Sequence, residues 1–249
     1  MKFKIFDKYS SIEHIVTEKN LNLEYSFSMA LHTGEEKTSI ISNRVELKKI
    51  FGDQCSFAST LQTHSDMVHI VNDSNSSAWE GKSKPVEADA LITNLPSVAL
   101  TILTADCVPI LLYDPVSKAI GAIHAGWRGA HNNIILKTIN KMQETYGTNP
   151  RDIIAGIGPS IGGCCYEVGI EVAEKFMEYV DSVEKNKNGK YQLDLKSICN
   201  SQLLGSGLQS YNIEKSSICT ACQSSRFFSY RKEQGCSGRF VSALAMMNH

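Results

Sequence analysis

No run of about 18 apolar residues occurs in the chain, which excludes a membrane-spanning helix of ordinary length. The opening MKFKIFDKYSSIEHIV lacks the long apolar segment of an export signal. Neither sign of charge dominates, since 25 Lys and Arg meet 26 Asp and Glu for a net charge of −1. A nucleic-acid or membrane-surface protein usually carries a basic face or charge run, so neither kind of partner is expected. Internal repeats and low-complexity linkers are also missing. Closely spaced histidine pairs are missing too: the seven histidines stand at 14, 32, 64, 69, 124, 131 and 249, and no two are separated by one residue. A multicopper centre needs many histidines in such pairs.

What is present is an ordinary globular balance. Hydrophobic residues are 42% and charged residues 20% of 249 residues, enough for a sizeable core, and residues 1–249 are expected to form a single domain. Eight cysteines stand at 55, 107, 164, 165, 199, 219, 222 and 236. In a long chain without an export signal they read as reduced thiols of a cytoplasmic protein.

The polar stretch NDSNSSAWEGKSKPVEAD (72–89) reads as a long surface loop, and DSVEKNKNGKY (181–191) as a connection after a helix. DMVHIV, ALITN and SVALTILTA read as strands. PILLYD and AIGAIHAG form two apolar runs joined by PVSK, a predicted hairpin. Ile134, Ile135, Ile139 and Met142 fall near helical spacing, with Gly147 as a stop. RDIIAGIG reads as a strand, while GIEVAEKFMEYV and DLKSICNSQLLGSG read as helices. RFVSALAMM fits strand or helix equally. The mixture predicts an α+β fold of layered mixed sheets covered by helices.

The chemistry concentrates in TADCVPILLYDPVSKAIGAIHAGWRGA (104–130). A cysteine in an apolar context is usually a small core residue, and a lone histidine usually a structural one. Here a hairpin brings the start of one arm, at Cys107, to the end of the other, at His124. His64, in TLQTHSDMVHIV, also precedes a strand-like run, whereas His69 lies inside that run. Two imidazoles and a thiolate suit zinc, and three protein ligands leave a fourth position for water or substrate. Asp106, beside the cysteine, is a candidate to orient a ligand. The same trio also fits copper, which outcompetes zinc at many nitrogen and sulfur sites, so Cu2+ uptake in vitro is expected. A metal-free alternative makes Cys107 a nucleophile and His124 its base.

Gly126 and Gly129 flank Trp127 and are expected to permit a tight turn and a helix start. A structural zinc site built from Cys164, Cys165, Cys219 and Cys222 is disfavoured, because adjacent cysteines rarely share an ion and a second CxxC is missing; the four are expected to be free thiols. GIGPSIGG fails as a dinucleotide fingerprint, since the third glycine is misplaced and Pro159 interrupts the turn.

QTH, TADCVPILLYDP and IGAIHAGWRG, together with SNRVEL, ADALIT, GIGPSIGGCCYEVG and ICTACQSSRFFSYRKEQGCSGR, resemble the YfiH/laccase-domain family. That family is variously labelled purine nucleoside phosphorylase, polyphenol oxidase and peptidoglycan editing factor. The resemblance implies an α+β fold and a zinc ion held by His64, Cys107 and His124. It implies a cytoplasmic enzyme whose partners are purine nucleosides and phosphate. The implied reactions are phosphorolysis of adenosine, inosine and methylthioadenosine, and deamination of adenosine. Within the pattern, Arg44, Arg128 and Arg231 become candidate phosphate or substrate contacts, because a guanidinium holds an oxyanion bidentately. The family's other labels imply two alternatives, a copper-dependent polyphenol oxidase and a cysteine hydrolase editing a cell-wall precursor. The sequence departs from the family at Gly163, where many relatives have proline, and at Ala88, where a glycine motif often begins.

Overall fold

A computed structural model describes residues 1–73, 77–235 and 238–247. Cys236, His249 and residues 74–76 of the long loop lie outside them.

Apolar residues at nearly every position of 108–114 and 119–125 demand burial on both faces, and the two runs sit at the centre of a sheet. That six-stranded sheet runs β12 (Ile213–Lys215), β8 (Ile154–Ile157), β6 (Val108–Asp114), β7 (Ala119–Ala125), β4 (Ala90–Thr93), β3 (Val68–Ile70). A four-stranded sheet runs β1 (Ile12–Val16), β13 (Phe240–Met246), β5 (Val98–Thr104), β2 (Ser56–Ala58). A small third sheet joins β10 (Val183–Lys185), β11 (Tyr191–Leu193) and β9 (Glu167–Val168).

Side chains alternate across the central sheet. Leu91, Leu111, Tyr113 and Ile120 meet Leu100, Ile102 and Leu244 of the four-stranded sheet. Ile92, Ile110, Leu112 and Ile123 meet α3 (Ile134–Tyr146) and α5 (Leu195–Gly205) through Ile135, Ile139, Met142 and Ile198. The outer face of the four-stranded sheet, with Ala99, Val241 and Ala243, packs on Leu47 and Phe51 of α1 (Lys37–Phe51). The molecule is therefore layered helix, sheet, sheet, helix, the α+β arrangement expected. Each fully buried Ile or Leu of these layers contributes about 1.5–3 kcal/mol over an exposed one.

The hairpin holds: β6 and β7 pair antiparallel with Pro109 opposite His124. α3 buries the predicted stripe and ends at Gly147, whose φ of +70° suits a left-handed stop. The C-terminal run, undecided by periodicity, is a strand, because both its faces are covered.

Three local readings change, and one segment not assigned from the sequence gains a place. GIEVAEKFMEYV makes only a short helix, α4 (Ile170–Ala173), and a tight turn at Glu174–Phe176, since Val172, Ala173 and Phe176 already complete its inward contacts. The segment 181–191 is a hairpin of β10 and β11 rather than a plain connection. SNRVEL lies inside helix α1. The long loop is not all surface, because Trp79 is buried and stacks on Phe57.

Candidate active site

The two sheets leave a cavity of about 710 Å³ beside the start of β6 and the end of β7. His64, Cys107 and His124 line it, and their ligand atoms all lie within 4.8 Å of one another. Each arrives by a different device. His124 is the penultimate residue of β7, held by the hairpin register. Cys107 follows Asp106, whose φ of +89° puts a non-glycine residue in the left-handed region. His64 itself has a φ of +61° in the turn before β3.

Backbone conformations of this kind persist only where neighbours over-determine them. Asp89 does this for His64. Its buried carboxylate accepts from the N–H groups of Thr63 (3.1 Å), His64 (3.0 Å) and Ser65 (2.6 Å) and from Ser65 Oγ (2.6 Å). The same carboxylate meets His124 Nδ1 at 2.7 Å, and the Asp89 carbonyl accepts from His124 N. Asp89 thus fixes the backbone of His64 and the ring of His124, and leaves Nε2 of His124 to face the centre. Sequence reasoning gave this orienting role to Asp106, and the structure corrects it. Asp106 instead accepts from Thr220 Oγ1 at 2.6 Å and Arg231 N at 2.7 Å, so it ties the C-terminal loop to the site. The signal for Asp89 was a carboxylate directly before a buried strand, in ADALIT.

Gly126 completes the packing. A Cβ there would lie 2.7 Å from His64 Cδ2 and 3.3 Å from Cys107 Sγ, so only hydrogen fits. Gly129 is similarly constrained by Ser65 O at 3.0 Å. Gly126 caps α2 (Trp127–His131) as expected and also allows the close approach of His64 and Cys107, whereas Gly129 lies inside the helix against the Ser65 carbonyl.

Cys107 is surrounded by protein on most sides yet partly open to the cavity. Burial pushes its thiol up, but His124 and His64 outweigh burial and bring it down to about 6. For His124, burial pulls down, while the Cys107 thiolate and Asp89 raise it to about 9. Each group thus shifts the other towards its charged form, and His64 Nε2 lies 3.7 Å from Cys107 Sγ. The three side chains form a candidate cation site. The donor set of two imidazoles and one thiol, with His124 held from behind by Asp89, fits a zinc-type ion.

The three arginines fare differently. Arg128 is exposed at the cavity and stacks over Trp127 at 4.4 Å. Arg231 stacks over Tyr166 at 5.2 Å and donates one bond, from Nη1 to Glu167 O. Arg44 also lines the cavity, but its donors are committed: Nε and Nη2 to Met29 O, and Nη1 to Trp79 O. It is 5% exposed and lies 4.1 Å over the Trp79 ring. Arg44 thus braces the wall. Tyr166, Trp127 and Arg239 also line the cavity, and sequence reasoning did not single out any of them for the site.

No helix among the described residues is long and apolar enough to cross a membrane. The family model described as multi-copper polyphenol oxidoreductase laccase matches residues 15–247. The chain is 36% identical to the purine nucleoside phosphorylase YlmD of Bacillus subtilis, over 89% of this chain and 82% of that protein. It is 34% identical to a purine nucleoside phosphorylase of Bacteroides thetaiotaomicron, over 97% and 94%. The crystal structure of the hypothetical protein YfiH from Bacillus licheniformis superposes with a TM-score of 0.91 at 32% identity, covering 96% of this chain and 94% of that one. That of YlmD from Geobacillus stearothermophilus gives 0.90 at 29%, covering 97% and 94%. With nearly the whole chain matched in sequence and fold, the protein belongs to the laccase-like YfiH family of the polyphenol oxidoreductase laccase model.

Proposed function

We propose that the protein is a cytoplasmic purine nucleoside phosphorylase, dependent on one zinc ion held by His64, Cys107 and His124, that also deaminates adenosine. The observation that carries this reading is the convergence of that trio with Arg128 and Arg231 on one cavity that also presents aromatic faces. The naming of relatives as purine nucleoside phosphorylases supports the substrate class. When bound, zinc supplies Lewis acidity and a nucleophile at neutral pH.

The chain's own residues do the rest. Asp89 keeps His124 oriented and the turn at His64 closed. Arg128 and Arg231 hold phosphate as planar forks, and Tyr166 and Trp127 offer faces on which a purine stacks. In phosphorolysis a phosphate oxygen bonds to C1′ of the ribose as the C1′–N9 bond breaks, and the purine leaves with the electron pair and takes a proton. In deamination water adds at C6 and ammonia leaves. The test is adenosine incubated with and without phosphate, with chromatography of adenine and inosine. Adenine should require phosphate and inosine should not. Neither product forming would remove the nucleoside reading.

The Cys107–His124 pair favours a second reading, a thiolate nucleophile with an imidazolium partner in a hydrolase. Cys107→Ala separates the two. Loss of turnover together with zinc supports a ligand, whereas loss of turnover with zinc retained supports a nucleophile. The copper-oxidase label has a single cavity trio of His64, Cys107 and His124 to rest on among the described residues, and zinc fits its donors; phenol oxidation is expected only after copper loading.

A further inference from the structure

Four sulfurs outside the active site converge on one point. Cys164, Cys165, Cys219 and Cys222 place their Sγ atoms within 4.8 Å of one another. Cys164 Sγ lies 3.7 Å from both Cys165 Sγ and Cys222 Sγ, and Cys165 Sγ lies 3.4 Å from Cys222 Sγ. A tetrahedral zinc with Zn–S of about 2.3 Å has edges of about 3.8 Å, close to these separations. A disulfide would need about 2.05 Å.

The backbone around the cluster is built for thiolates. Gly162 N donates to Cys219 Sγ at 3.2 Å, and the Cys222 N–H reaches the same sulfur across the CxxC turn. The two segments are locked by a parallel bridge between Ser160 and Cys219, with Thr220 N donating to Ser160 O. Gly162 packs closely against the cluster, since a Cβ there would sit 3.3 Å from Cys164 Sγ and from Cys219 Cβ. Four thiolates around a divalent ion leave net negative charge, and buried Lys196 stands close enough to feel Cys219 and Cys164 while donating only to the carbonyls of Ser216 and Ile218. The adjacency of Cys164 and Cys165, which argued against a shared ion, is resolved by the turn at Gly162–Tyr166: Cys165 N and Tyr166 N both bond Gly162 O, which turns both sulfurs to one side.

We infer that Cys164, Cys165, Cys219 and Cys222 form a second metal site, a structural zinc tetrathiolate. The four thiols release their protons to solvent as they bind the ion. The site is a clamp between a loop that walls the active-site cavity through Tyr166, which follows Cys165 directly, and the Cys219–Cys222 loop, whose Thr220 holds the cavity residue Asp106. Zinc content of protein purified anaerobically without added metal tests this. The wild type should hold about two zinc ions per chain, and C164S/C222S and H64A/C107A about one each. If the active-site zinc reading is wrong, H64A/C107A keeps wild-type content while C164S/C222S still loses zinc. Wild-type zinc content in a folded C164S/C222S, or a Cys165–Cys222 disulfide in peptide maps of the anaerobic protein, would overturn the clamp. Should C164S/C222S fail to fold, Co2+ added to H64A/C107A decides: a sulfur-to-cobalt charge-transfer band with tetrahedral ligand-field bands is expected, and their absence sinks the proposal.

Discussion

Cys107 is held between opposing influences, and their balance is measurable. Burial disfavours the thiolate, while His124 and His64 favour it and win, leaving the metal-free thiol near 6 instead of the ordinary 9. The thiolate is the species that alkylates. In metal-free protein, iodoacetamide should therefore modify Cys107 with a midpoint near pH 6, and zinc should protect it. His124→Gln removes the cation, so the midpoint should move up towards the ordinary value. A midpoint that does not move would mean that His124 is not the partner. Asp89 makes a second prediction of the same scale. Asp89→Asn keeps the shape but weakens the hold on His124 and offers an amide N–H to a turn full of donors, so zinc affinity should fall about 10- to 100-fold. Competition against a chromophoric chelator reads the change, and unchanged affinity would return Asp89 to a purely structural role.

At the scale of elements, the site is a consequence of where apolar runs stop. The hairpin of β6 and β7 brings Cys107 and His124 together by register, and Gly126 then lets His64 approach from another element. Gly126→Ala should fold, since its φ of −76° suits alanine, but the new methyl must push His64 outward. Misplacement of about 1 Å in a site of this kind costs on the order of 10²-fold in turnover. Near-normal kcat with zinc retained in Gly126→Ala would show that the glycine is not needed. The hairpin and the α3 stripe were legible in the sequence because each is written in short-range alternation or period, and the grouping of His64, Cys107 and His124 was legible from their places at the ends of strand-like runs. Asp89 and Arg44 were not, because their roles depend on partners 25 and 35 residues away, beyond any periodic signal. The cysteine cluster was disfavoured in the sequence for a related reason: Cys165 and Cys222 are separated by 57 residues, and the Ser160–Cys219 bridge that joins their segments leaves no short-range signal.

At the scale of the whole molecule, the cavity wall is assembled from segments spread along the chain, and the arginines on it divide into braces and open contacts. Arg44 is the brace. Its removal leaves the carbonyls of Met29 and Trp79 without their donors, and buried groups orphaned in this way cost about 1–3 kcal/mol each. Arg44→Ala should thus lower the Tm with little change in KM for phosphate. Arg231 faces the cavity and, among the described residues, engages one of its side-chain donors, Nη1 to Glu167 O. Arg231→Ala should raise KM for phosphate in adenosine phosphorolysis by about 10-fold or more, the loss of one charge-assisted contact worth about 1.5–3 kcal/mol. Deamination uses water and no inorganic anion, so its rate should change less. The two variants together decide the assignment: a raised phosphate KM in Arg44→Ala at unchanged Tm would make Arg44 the anion contact, and phosphorolysis and deamination falling equally in Arg231→Ala would show that Arg231 holds the nucleoside or the loop, not the phosphate.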